Sequence, residues 1–115
     1  MGTMAFMVDP ARVVLTGHLT ASALSRALAT LDLKGGVAHH LLVDATAMTG
    51  YDGAARALFV RWNREHSEDI VRLAVVTNRT LWHMVIRAMA LAAGREMRAF
   101  PTPSEAESWL GDRTG

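Results

Sequence analysis

The chain has 115 residues, half of them hydrophobic, with 12 Lys+Arg against 11 Asp+Glu for a net charge of +1. That length fits one domain and can bury a core without cross-links. The charge balance gives no support for a nucleic-acid partner, and the absence of cysteine excludes disulfides, thiolate metal sites and cysteine nucleophiles.

The start "MGTMAFMV" has no basic region, and Asp9 and Pro10 follow too soon for a signal peptide. Phe6 stands where a myristoylation signal needs Ser or Thr. "FMV" over 6–8 reads as a first short strand, and Asp9-Pro10 as the turn into a second. That second strand is "RVVLTGHLT" (12–20), β-branched and apolar, with Gly17 where a bend or bulge falls. The two strands would form an antiparallel hairpin.

Thr20 is placed to cap a helix over 21–31, with Leu24, Leu28 and Leu31 on one face. Lys34-Gly35-Gly36 closes this unit. "HHLLVDA" (39–45) is a continuous apolar run, as in a strand covered on both faces. A loop follows over 46–51. Asp52 then caps a helix over 53–66 whose inner stripe is Ala55, Leu58, Phe59 and Trp62.

"VRLAVVT" (71–77) is a further doubly covered strand. Asn78 or Thr80 caps the helix "LWHMVIRAMALAA" (81–93), which Gly94 ends in a left-handed cap. That segment is the longest apolar run, but it is shorter than the roughly 18 residues of a membrane span and contains His83 and Arg87. A cytoplasmic domain with no membrane span is expected. "MRAF" (97–100) is a short last strand. In "TPSEAESWL" (102–110), Thr102, Pro103 and Glu105 make a capping box with a proline start.

The order is therefore β-β-α-β-α-β-α-β-α. It predicts one α/β domain over residues 1–115, with a mostly parallel sheet, right-handed crossovers, about four helices and an antiparallel edge hairpin. An apolar share of 50% exceeds what one small core absorbs, so an apolar patch or pocket is expected.

In sheets of this kind ligands bind beyond the carboxyl ends of the strands. "LLVDATAMTGYDGAARALF" (41–59) opens there and leads into a helix N-terminus, a place that favours anions. Asp52 already supplies a carboxylate, so "TGYDGA" reads first as a cap and a turn. Asp44, at a strand end, reads as an anchor for the residues that follow.

The catalytic and metal patterns fall short. His39 and His40 are adjacent on a strand and point to opposite faces, so they cannot share a metal ion. There is no HxxxH or HExxH spacing, no Walker A motif, no GxGxxG and no GxSxG. The five serines lie at or beside helix ends, where capping explains them. No catalytic residue, metal site or cofactor is assigned, and an enzyme is not expected.

The element order, "VVLTGHLT", "LLVDATAMTGYDGAARALF" and the ending "MRAFPTPSEAESWL" resemble the STAS-type domain of anti-anti-sigma factors, and more closely its SpoIIAA-like (STAS/Sec14-like) branch. The resemblance implies a protein-interaction module in bacterial regulation. In STAS regulators an Asp-Ser-x-Gly motif carries the serine that a partner kinase phosphorylates. Here Asp52 falls on the aspartate, Gly53 on the serine and Ala55 on the glycine, so the phosphoacceptor is missing. Thr49 and Tyr51 are nearby hydroxyls ahead of the aligned site. The partner-binding surface implied is Asp44, Thr49, Gly50, Tyr51, Asp52, Gly53 and Arg56, facing a protein partner or a second copy in a homodimer.

The SpoIIAA-like branch also resembles lipid-binding CRAL-TRIO domains. This alternative implies a small apolar ligand or lipid held by Phe59, Trp62, Trp82, Met84 and Val85, of which Trp82 opens a helix close to the ligand end of the sheet.

Overall fold

The structure is a computed structural model and describes residues 10–33 and 39–111. Strand β1 (Ala11–Leu19) leads into helix α1 (Ala21–Leu28), then β2 (His39–Tyr51), α2 (Gly53–Glu65), β3 (Ile70–Val76), α3 (Thr80–Ala93), β4 (Met97–Phe100) and α4 (Pro103–Leu110). The strands lie in the order β1-β2-β3-β4, and every neighbouring pair is parallel. Four helices and a parallel sheet match the sequence reading. The antiparallel edge hairpin does not: among the described residues the sheet is wholly parallel. The expected first strand, residues 6–8, lies outside the described residues; β1 itself pairs with β2 in parallel.

The layering follows from the connections. Successive right-handed crossovers that always step in one direction put α1, α2 and α3 on one face. The main core fills that side, with Leu15, Val43, Leu73 and Val75 from the strands meeting Leu24, Phe59, Ile86 and Met89 from the helices. Among the described residues only α4 covers the other face, where Ala106 and Leu110 pack on Leu42, Ala74 and Val76. Residues 41–43 and 73–76 are therefore buried on both sides, as their unbroken apolar runs require. The helix α4 packs on β2, β3 and β4. Strand β1 is thus covered on one face only, and its pattern alternates, with Val13 and Leu15 buried and Val14 63% exposed.

Local chemistry sets the helix ends. The Thr20 and Asp52 side chains accept the amides of Ala23 and Ala55 at 3.1 and 2.9 Å. The Thr102 hydroxyl accepts the Glu105 amide at 3.3 Å and donates to the Glu105 carboxylate at 3.0 Å. Gly94 ends α3 with φ +64°, the left-handed conformation that glycine adopts at no steric cost. Helix α1 stops earlier than expected. The Thr30 hydroxyl donates to the Ala27 carbonyl at 2.6 Å, a local bond that competes with the helical ladder. Helix α3 is capped by neither Asn78 nor Thr80; Arg79 occupies its N-cap and makes no side-chain capping bond.

Candidate functional site

Residues 46–51 are not a loop. Strand β2 continues to Tyr51, because Ala47, Met48, Gly50 and Tyr51 pair with Thr16 to Leu19 of β1. The register shifts between Val14 and Thr16 and again between Gly17 and His18, and at each shift β2 carries one residue more than β1. Gly17 takes φ +66° at the second shift, where the sequence placed a bulge. Gly50 pairs with His18 just beyond it, and a Cβ at Gly50 would lie 3.2 Å from His18 Nδ1. Pairing the two strands this far brings Asp52 to the end of the sheet, where its amide donates to the Leu19 carbonyl at 3.1 Å.

The proposed contact residues therefore have mostly internal tasks. The Asp44 carboxylate accepts the Thr46 amide at 3.0 Å and the Thr46 hydroxyl at 2.7 Å, the anchoring arrangement expected of it. Asp52 caps α2. Gly53 opens α2 with free space around its α-carbon. Thr49 is exposed, and Tyr51 is half-buried with its ring edge-on to Trp82 at 5.5 Å. These residues make a folded strand end rather than a projecting loop.

The cavity they adjoin is apolar. It lies between the carboxyl-end half of the sheet and helices α2 and α3, is partly open to solvent, and leaves about 70 Å³ for a water-sized sphere. That admits a narrow apolar group such as part of an alkyl chain, and is below the roughly 300–1,000 Å³ usual for sites that enclose a drug-sized molecule. Leu15, Val43 and Val75 form its floor. Ala55 and Phe59 from α2 face Val85, Ile86 and Met89 from α3. Tyr51, Trp82 and Met48 border it, and among the described residues Arg56 is the one charged side chain in its lining.

Of the five residues the sequence suggested for an apolar pocket, Phe59, Trp82 and Val85 line this cavity. Trp62 does not. It stacks on Phe59 at 6.5 Å, lies tilted against His66 at 4.5 Å, and faces a separate depression between α1 and α2 with Leu28, Leu31 and Leu58. Met84 points outward and is 68% exposed, as are Leu81 (74%) and Leu91 (82%) on the same helix.

The sequence reading did not single out Arg79. Its guanidinium lies 4.8 Å from the centre of the Trp82 ring and donates to the Met48 carbonyl at 3.3 Å. A signal was available: an arginine at a helix N-cap sits against the positive end of the helix dipole, where carboxylates and hydroxyls are preferred.

Titratable groups away from the cavity have structural explanations. Burial is the main cause that lowers the pKa of His40, and the neighbouring Arg72 adds to it; a hydrogen bond with the Leu110 backbone opposes both. Burial also lowers the pKa of Arg95, whose guanidinium is held by the Ile70 and His66 carbonyls. Among the described residues no three His, Asp or Glu side chains cluster as a metal site would require, and no helix is long and apolar enough to cross a membrane.

With this geometry in hand, the chain can be placed among known proteins. The sequence model of the SpoIIAA-like family matches residues 11–111, nearly the whole described structure. The chain belongs to the SpoIIAA-like family. Its fold is shared with the crystal structure of an uncharacterized protein with a SpoIIAA-like fold from Shewanella loihica PV-4, at a TM-score of 0.70 and 19% sequence identity. The match covers 95% of this chain and 90% of that one. No curated protein matches the sequence. In this SpoIIAA-like chain the parallel β1–β4 sheet thus carries an apolar cavity under α2 and α3.

Proposed function

We propose that this SpoIIAA-like protein is a non-catalytic binding protein that holds an apolar small molecule or lipid chain between α2, α3 and the sheet. The observation that carries this reading is the cavity lining: aliphatic and aromatic apart from Arg56, which with Tyr51 is its only ionisable side chain among the described residues. Such a lining stabilises a ligand by removing apolar surface from water, roughly 25 cal/mol per Å². It offers no carboxylate, imidazole or activated hydroxyl for general acid–base or nucleophilic work, which supports binding over chemistry.

The test uses Trp82 as reporter in a chain whose Trp62 and Trp109 are replaced by phenylalanine. Titration with a medium-chain fatty acid or alcohol is expected to shift its emission and to saturate at one ligand per chain. Val85→Trp, which fills the cavity from α3, should abolish saturable binding to the otherwise native chain, read by displacement of an apolar dye. A flat titration with every chain-bearing probe overturns the reading.

A second reading, a protein-contact module in bacterial regulation without a phosphoserine switch, is favoured by one observation. Leu81, Met84 and Leu91 leave an exposed apolar stripe on α3. A second copy of the chain is the first partner to test. Sedimentation should show a dimer that Met84→Glu dissociates; a monomer at all concentrations removes self-association from this reading.

A further inference from the structure

Charge around the cavity is one-sided. Arg56 lies in its lining, and Arg79 is fixed at its border by the Trp82 ring and the Met48 carbonyl. Neither arginine forms an ion pair with any described carboxylate. Asp52, one turn before Arg56, commits its Oδ1 to the Ala55 amide. Each arginine also sits at or near the start of its helix, and neither α2 nor α3 has an acidic residue in its first turn. Arg79 is therefore placed against the α3 dipole with no acidic residue in the first turn, and Arg56 follows the Asp52 cap of α2 without forming an ion pair with it. Local rules broken in this way are expected at functional sites rather than in the scaffold.

We propose that the ligand is an anionic amphiphile, its apolar chain in the cavity and its carboxylate or phosphate head held by Arg56 and Arg79. The inference rests on the apolar-pocket reading and adds the charge of the head to it. Arginine suits the task because its planar fork donates paired hydrogen bonds to either oxyanion. Trp82 holds one side of that fork in place, so less side-chain freedom is lost on binding. The apolar walls beneath exclude water, and the head lies at the rim where it keeps part of its hydration.

The experiment compares four probes of one chain length below their micelle concentrations: laurate, dodecyl phosphate, dodecanol and dodecyltrimethylammonium. Displacement of an apolar fluorescent dye gives each affinity. At least one anionic probe is expected to bind about tenfold or more tightly than dodecanol, as one charge-assisted contact supplies, with the cation weakest. The better of the two anions assigns the head as carboxylate or phosphate. Arg56→Gln should reduce that advantage several-fold, and Arg56→Gln with Arg79→Gln should remove it, the affinity for the anion falling far more than that for dodecanol. Arg79→Lys, which keeps the charge, should retain most of it; this variant carries the test if the glutamine variant fails to fold.

Equal binding of dodecanol and both anions overturns the proposal and leaves the apolar pocket standing. An anion preference untouched by the arginine variants also overturns it. Inorganic phosphate that competes as well as dodecyl phosphate would mark a simple anion site and overturn it equally. If no probe binds, the pocket reading fails and takes this one with it.

Discussion

Single residues explain much of the local structure, and their legibility depended on whether their partners were near in sequence. Thr20, Asp52 and Thr102 were read correctly as caps, because a cap bonds to an amide three residues ahead. Arg79 was overlooked because its partners, Met48 and the Trp82 ring, come together only in the folded chain. Gly53 stands where the family's serine would be, yet a Cβ there meets nothing. Space alone does not keep a hydroxyl out of that position. His40 makes a prediction at this scale. It is held below its ordinary pKa of 6.5, by burial first and by Arg72 second. The unfolded chain takes up the proton near pH 6.5 and the folded chain resists it, so the unfolded state binds more protons there. Stability is therefore full above that pH and falls as pH drops through it toward the lower folded value. Denaturant melts between pH 8 and 5 should show that decline, and His40→Gln should flatten it. A wild-type profile already flat across that range would contradict the assignment.

At the scale of elements, the sequence reading recovered every helix and strand of the described structure, and its errors have geometric causes. Residues 46–51 lack the alternation of a half-buried strand, and Thr49-Gly50 reads locally as a turn. What makes them strand is pairing with β1 across two bulges, a contact between distant segments. The pocket residues were only partly legible for a related reason. Helical spacing groups Phe59 with Trp62, but about 60° separates them around the axis, enough to send one toward α3 and the other toward α1. Met84 is about 100° from Val85 on the same reckoning and so faces outward. Sequence shows a stripe; it does not show which neighbour each edge of the stripe meets. The end of α3 offers a clean measurement. Gly94 has φ +64° and no atom near its missing Cβ, so Gly94→Ala should cost only backbone strain, roughly 1–2 kcal/mol. Thermal melts should show a lower midpoint for it, while Gly53→Ala, in open space without a positive φ, should be neutral or slightly stabilising. Equal midpoints for the two variants would refute the cap argument.

For the molecule as a whole, the α/β class and the parallel sheet were legible, because doubly buried apolar runs alternating with helices allow little else. The antiparallel edge was an error of grouping. Asp9-Pro10 read as a hairpin turn, whereas the described sheet is wholly parallel and the hairpin's other strand lies outside the described residues. Coverage of the sheet is unequal among the described residues: three helices share one face, and α4 is the one helix that shields Leu42, Ala74 and Val76 on the other. A chain that ends at Pro101 should therefore be far less soluble than the full chain. Its pellet fraction on expression is the measurement, and a soluble, cooperatively melting product would show that α4 is dispensable.

The same asymmetry sets an order of events while the chain is being made. Each strand lies beside its predecessor in the sheet, so β1 to β4 and α1 to α3 can assemble one after another as they leave the ribosome. The last helix is still inside the exit tunnel at that moment. For the few seconds that its residues take to emerge, the nascent protein presents a bare apolar sheet face, the kind of surface to which chaperones bind.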